Sequence, residues 1–125
     1  MTSQPPHTVV VIDDDESVCR AVGRLLRSAG HCARTFGSAE EFLQAGGPSV
    51  PSCLILDVHL PGLSGPQLWA QLKSEGRLIP AVYISADSDS RLRDAAMRAG
   101  AIAFLLKPFD DQELLDAVAK AWRAA

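Results

Sequence analysis

The chain has 125 residues, of which 47% are hydrophobic and 22% charged, with a formal net charge of −3. This is the composition of one soluble globular domain large enough for a single core, and it excludes a disordered chain. The net acidity argues against a nucleic-acid-binding surface, and no apolar run approaches the roughly 20 residues of a membrane span.

The opening MTSQPPH lacks the basic and apolar regions of a signal peptide. It reads as a disordered lead-in over residues 1–7, leaving residues 8–125 as the folded domain. Residues 8–12 (TVVVI) are short, β-branched and continuous, the pattern of a strand buried on both faces. Val18, Ala21, Val22, Leu25, Leu26 and Ala29 then follow helical spacing, and Gly30 supplies a stop. Residues 31–36 (HCARTF) predict a weaker strand. Ser38 and Glu41 form a capping-box pair opening a short helix, which GGP at 46–48 should end.

A second strongly apolar strand is expected at 52–57 (SCLILD). Ser64 and Gln67 repeat the capping-box spacing before a helix carrying Leu68, Trp69 and Leu72. Residues 80–85 (PAVYIS) predict a fourth strand, and Leu92, Ala95, Ala96 and Ala99 a helix stopped by Gly100. Residues 101–106 (AIAFLL) predict a fifth strand. Asp110 and Glu113 should cap a last helix with Leu114, Leu115, Val118 and Trp122 on its inner face. Short apolar strands alternating with amphipathic helices indicate a parallel sheet covered on both faces, hence an open, doubly wound α/β domain. Cys19, Cys32 and Cys53 are odd in number, lack C-x-x-C spacing and lie among apolar residues. They read as small buried thiols, which suits a reducing cytoplasm.

In such a sheet, ligands bind beyond the carboxyl ends of the strands, where the strand order reverses. Four of the five predicted strands end there in polar groups: Asp13–Asp15, Asp57, Ser85 and Lys107. Topology therefore brings carboxylates, a hydroxyl and an ammonium to one edge. Crowded carboxylates need a cation, and oxygen donors without His or Cys favour Mg²⁺ over zinc. A neighbouring lysine can hold a phosphoryl oxygen, and a carboxylate can act as nucleophile. Asp15 and Glu16 are equally well explained as acids offsetting a helix dipole, Ser85 alone as a turn residue, and Lys107 alone as a surface lysine. Asp57 resists such an explanation, because an acid directly after CLIL is costly to bury unless paired.

The stretches VVVIDDD, LILDVHLPGLSG, VYISA and FLLKPF, in that order, resemble a response-regulator receiver domain of two-component signalling, from about Val9 to about Trp122. The resemblance is to receivers of the nitrogen-fixation-regulator type. It implies a flavodoxin-like fold with strand order 2-1-3-4-5 and a phosphoacceptor at Asp57. It further implies Mg²⁺, or Mn²⁺, held by Asp14 directly, Asp13 mainly through water, Asp57, and the His59 backbone carbonyl. Ser85 takes the hydroxyl position that bonds the phosphoryl group, Lys107 the motif's lysine position, and Phe104 the aromatic switch position. Lys107–Pro108 matches the family's cis peptide. His59 and Asp87 take flanking positions that tune phosphate lifetime. The implied donor is a sensor histidine kinase or phosphotransfer protein, and the implied output surface is the fourth helix, fifth strand and fifth helix, which can also serve a homodimer. The resemblance is to a signalling phosphoacceptor rather than an enzyme, with at most slow self-catalysed phosphotransfer and autodephosphorylation. Neither direct nucleic-acid binding nor a membrane partner is expected of this chain.

Two rivals remain open at this level. Asp13, Asp15 and Ser17 at alternate positions resemble the first motif of haloacid-dehalogenase-type phosphohydrolases, with Asp13 as nucleophile. Against this, the chain is short and Asp57 would have no role. The other rival is a receiver-fold interaction module that works without phosphorylation.

Overall fold

A computed structural model describes residues 7–45 and 51–124. In chain order it contains β1 (Thr8–Ile12), α1 (Glu16–Ser28), β2 (Cys32–Phe36), α2 (Ala39–Ala45), β3 (Cys53–Asp57), α3 (Gly65–Ser74), β4 (Ala81–Ser85), α4 (Ser90–Arg98), β5 (Ala103–Leu106) and α5 (Asp111–Ala124). The strands form one parallel sheet in the order β2-β1-β3-β4-β5. This is the expected flavodoxin-like arrangement, and its order reverses between β1 and β3.

The alternation of side chains along each strand divides the core in two. Val10, Ile12, Leu54, Leu56 and Tyr83 point to the face covered by α2, α3 and α4. Val9, Val11, Ile55, Val82 and Ile84 point to the face covered by α1 and α5. Burial on both faces is why β3 and β4 run apolar up to their last residue rather than alternating.

Helix ends follow their sequence signals closely. Asp15 caps α1 by accepting from the Ser17 N–H, and Gly30 and Gly100 follow α1 and α4 with positive φ. Ser64 and Gln67 make both bonds of a capping box at α3. At α2 the Ser38 hydroxyl accepts from the Glu41 N–H as expected. Glu41 reaches back one residue further than the motif predicts, to the Gly37 N–H. Glu113 accepts from the Asp110 N–H at the start of α5. The expected stop at 46–48, and all but His7 of the lead-in, lie outside the described residues.

Two expectations about burial need correction. Cys32 is exposed, because it opens β2, an edge strand with a neighbour on one side only. Trp122 is 46% exposed: the small residues Ala117 and Ala121 join Leu114 and Val118 on the buried stripe of α5, and Trp122 packs at the rim against His7, the two rings tilted by 50°. On α4, Ala95 and the C-cap residue Ala99 are exposed. α4 buries no residue fully and rests on the core through Leu92 and Ala96.

Candidate functional site

The carboxyl ends of β1, β3, β4 and β5 converge where the order reverses, and they bring together the residues the sequence singled out. Asp13 directly follows β1, and Asp57 closes β3. Ser85 closes β4, and Lys107 directly follows β5, its N–H donating to the Ser85 carbonyl at 2.8 Å. Lys107 extends its ammonium across the sheet end to donate to Asp13 Oδ2 at 2.6 Å and Asp57 Oδ2 at 3.3 Å. These pairs link residues 94 and 50 positions apart in sequence. The Lys107–Pro108 peptide is cis.

Charge and burial oppose each other here. Burial, followed by the charge of Asp13, raises the Asp57 carboxyl above the ordinary carboxylate range, and the Lys107 ammonium and the His59 N–H pull it only partly back. Burial alone would lower Lys107, but its hydrogen bond to Asp13 and the charges of both acids hold it above its ordinary value. The site thus contains two buried acids sharing one cation. This unbalanced arrangement suits a centre that takes up further positive charge.

The donor set fits a hard divalent ion. Oxygens of Asp13, Asp14 and Asp57 lie within 4.8 Å of one another, with no His or Cys in the group. Their situations differ. Asp13 is buried, with Oδ1 accepting from the Asp15 N–H at 2.9 Å and Oδ2 from Lys107. Asp14 is exposed, and its carboxylate makes no hydrogen bond among the described residues. Asp14 is therefore the carboxylate best able to offer an oxygen to a cation directly.

Two further groups rim the site. The His59 N–H donates to Asp57 Oδ1 at 3.2 Å, while the His59 ring Nε2 lies 3.0 Å from Asp87 Oδ2. Hydrogen bonding from the Asp89 N–H, then from His59, holds the Asp87 carboxyl below its usual range. Ser85 is fully buried, and its hydroxyl accepts from the Asp87 N–H at 3.0 Å. Phe104 stands apart, half-buried, its ring centroid 6.4 Å from that of Tyr83 on the neighbouring strand.

Sequence reasoning missed two contributors. A Cβ on Gly65 would collide with the Asp57 backbone carbonyl, so α3 can begin this close to the acid only because residue 65 is glycine. The SG dipeptide after LPGL was visible as part of a motif, but not as a close approach. Glu40 of α2 accepts from the Leu63 N–H in the loop after Asp57. A contact spanning 23 residues carries no local sequence signal.

A parallel five-stranded sheet with an acid–lysine cluster at its reversal point defines a receiver-type α/β domain. The family model described as the response regulator receiver domain matches residues 9–119, and the chain belongs to that family. It is 48% identical over 113 residues to nodulation protein W of Bradyrhizobium diazoefficiens, covering 90% of this chain and 50% of that protein. It is 40% identical over 123 residues to the response regulator protein TodT of Pseudomonas putida, covering 98% of this chain and 54% of that protein. The chain thus spans about half the length of the curated relatives it matches. Among solved structures, FixJ-N superposes with a TM-score of 0.87 at 30% identity, covering 98% of both chains. The response regulator StyR superposes with a TM-score of 0.87 at 44% identity, covering 96% of this chain and 61% of that one. Family membership removes the phosphohydrolase rival. No helix among the described residues is long and apolar enough to cross a membrane.

Proposed function

We propose that the chain accepts a phosphoryl group on Asp57 from the phosphohistidine of a sensor histidine kinase or phosphotransfer protein, in the cytoplasm, and converts it into a change of surface. The observation that carries this reading is the ammonium of Lys107 bridging Asp57 and Asp13 at the mouth of the sheet. A carboxylate oxygen of Asp57 attacks phosphorus, the O–P bond forms as the N–P bond breaks, and the imidazole leaves as a neutral group once protonated. Lys107, already 3.3 Å from Asp57, stabilises negative charge on the transferring oxygens. Asp14, Asp13 through water, Asp57 and the His59 carbonyl are the residues that would hold Mg²⁺, or Mn²⁺ in its place. When bound, the ion supplies positive charge that offsets the acids and the incoming phosphoryl oxygens.

The phosphoryl group adds charge and acceptor oxygens next to Ser85. Ser85 already uses its oxygen as an acceptor for Asp87, so its hydroxyl hydrogen is the group that turns toward the phosphoryl oxygens. Phe104 has room to respond, since it lines a groove of about 660 Å³ together with Arg93, Met97, Leu106 and Glu113. With α4 weakly seated and Met97 and Leu106 exposed, the α4–β5–α5 face is the proposed output surface, including for a homodimer. His59 and Asp87, paired at 3.0 Å on the rim, are proposed to limit the access of water to the acyl phosphate.

The reading is tested by incubating the chain with a small phosphodonor, with and without Mg²⁺, and weighing the intact protein. A Mg²⁺-dependent phosphoryl adduct is expected on the wild type and none on Asp57→Asn. A wild type that stays unmodified contradicts it.

A further inference from the structure

The loop from His59 to Ser64 carries the backbone that borders Asp57, and both its ends are fixed by backbone hydrogen bonds. The His59 N–H binds Asp57, and the Gly65 N–H binds the Val58 carbonyl at 3.1 Å. Its middle is different. Among the described residues, the only hydrogen bond donated by the backbone of Pro61–Leu63 runs from the Leu63 N–H to Glu40 Oε2, at 2.8 Å. Gly62 passes this carboxylate with φ +73°, and a Cβ there would come within 2.8 Å of the same oxygen. Leu60 and Leu63 share an apolar cluster with Phe42, two residues along α2 from Glu40. The loop is thus seated on α2 by apolar packing and oriented by one charge-assisted hydrogen bond.

We propose that Glu40 is a positioning residue for the site: it holds Pro61–Leu63 so that the backbone of His59 stays at the mouth of the sheet beside Asp57. The inference rests on the Mg²⁺-dependent phosphoacceptor reading above. Without Glu40 the Leu63 N–H loses its acceptor, and the loop between Asp57 and α3 samples arrangements in which His59 no longer faces the acids. Glu40 is exposed, so its loss acts on loop geometry far more than on the core.

The test compares the whole chain with Glu40→Ala and Glu40→Gln by calorimetric titration with Mg²⁺, by amide exchange at Leu63, and by urea unfolding. Glu40→Ala is expected to weaken Mg²⁺ binding about two- to tenfold, the range of one net hydrogen bond. It should also deprotect the Leu63 amide and leave the unfolding midpoint close to wild type. Glu40→Gln keeps an acceptor oxygen and should recover both Mg²⁺ affinity and amide protection. Unchanged Mg²⁺ affinity in Glu40→Ala, or no recovery in Glu40→Gln, overturns the proposal. The phosphodonor assay separates the two readings. Glu40-dependent Mg²⁺ binding without an adduct supports the positioning role and sinks the phosphoacceptor reading. An adduct on Asp57 with Glu40-independent Mg²⁺ binding does the reverse, and a wild type that binds no Mg²⁺ overturns the Glu40 role.

Discussion

Replacing Lys107 with methionine keeps most of the side-chain volume and removes the one cation that the structure sets between two buried acids. The Asp13 side chain is 0% exposed, that of Asp57 8%, and that of Lys107 20%. Breaking a buried ion pair by deleting one partner typically costs about 3–5 kcal/mol, because the remaining charge is left uncompensated. Partial exposure of the ammonium and the opening toward solvent at Asp14 reduce this, and we expect a loss of about 2–3 kcal/mol without metal. For a chain of this length that corresponds to a fall in melting temperature of roughly 8–11 °C. The same reasoning gives Asp57→Asn the opposite sign. The folded-state pKa of Asp57 is raised, so folding favours its protonated form. Stability is therefore lost as pH rises from the ordinary carboxylate range through the raised value, and the penalty persists at neutral pH. Asparagine removes it, so metal-free Asp57→Asn should be more stable than wild type at pH 7. The double variant should lose less than Lys107→Met alone, with a coupling of about 1 kcal/mol. Urea unfolding of the four proteins in chelator, repeated in Mg²⁺, measures all of this. Mg²⁺ should shrink the Lys107→Met deficit. A loss below about 0.5 kcal/mol, or a destabilised Asp57→Asn, would refute the account of a charge-unbalanced site.

Other outcomes follow from single contacts. His59→Ala and Asp87→Ala should each shorten the lifetime of the acyl phosphate, measured by loss of the intact-mass adduct after the donor is removed; unchanged decay would remove their proposed role at the rim. Gly65→Ala should cost about 1–3 kcal/mol in urea unfolding, since its methyl meets the Asp57 carbonyl, whereas a neutral result would mean α3 can retreat freely. Ser64→Ala should cost about 1 kcal/mol through the lost capping box. Among the cysteines, Cys32 should react rapidly with a thiol reagent at pH 8 in the native state. Cys53, its thiol pushed up to about 12 by burial, should react only on unfolding. Fast labelling of Cys53 would show that β3 is less well covered than described.

The sheet was legible in the sequence because its strands are buried on two faces. VVVI, CLIL and AVYI are unbroken runs without a charged residue, so Asp13, Asp57 and Ser85, which follow them directly, mark both the strand ends and the site. The convergence of Asp13, Asp57, Ser85 and Lys107 followed from topology alone, since parallel strands put every carboxyl end on one edge. Details set by tertiary neighbours were not legible. Cys32 looks apolar in sequence, yet only the edge position of β2 decides that it is exposed. Trp122 follows the helical period of α5, yet Ala117 and Ala121 bring the helix close enough to the sheet to leave the indole at the rim. Glu40 was invisible as a site residue because its partner is a backbone N–H, which no side-chain pattern records.

The most direct measurement concerns which acid bears the phosphoryl group. After reaction with a phosphodonor and Mg²⁺, borohydride reduction converts an aspartyl phosphate to homoserine, and peptide mass spectrometry then locates the altered residue. The account predicts the change at position 57 alone, within the peptide spanning LILDVHL, and its absence when Lys107 is replaced or Mg²⁺ is withheld. Modification at Asp13 or Asp14, or an adduct that survives in Asp57→Asn, would contradict it.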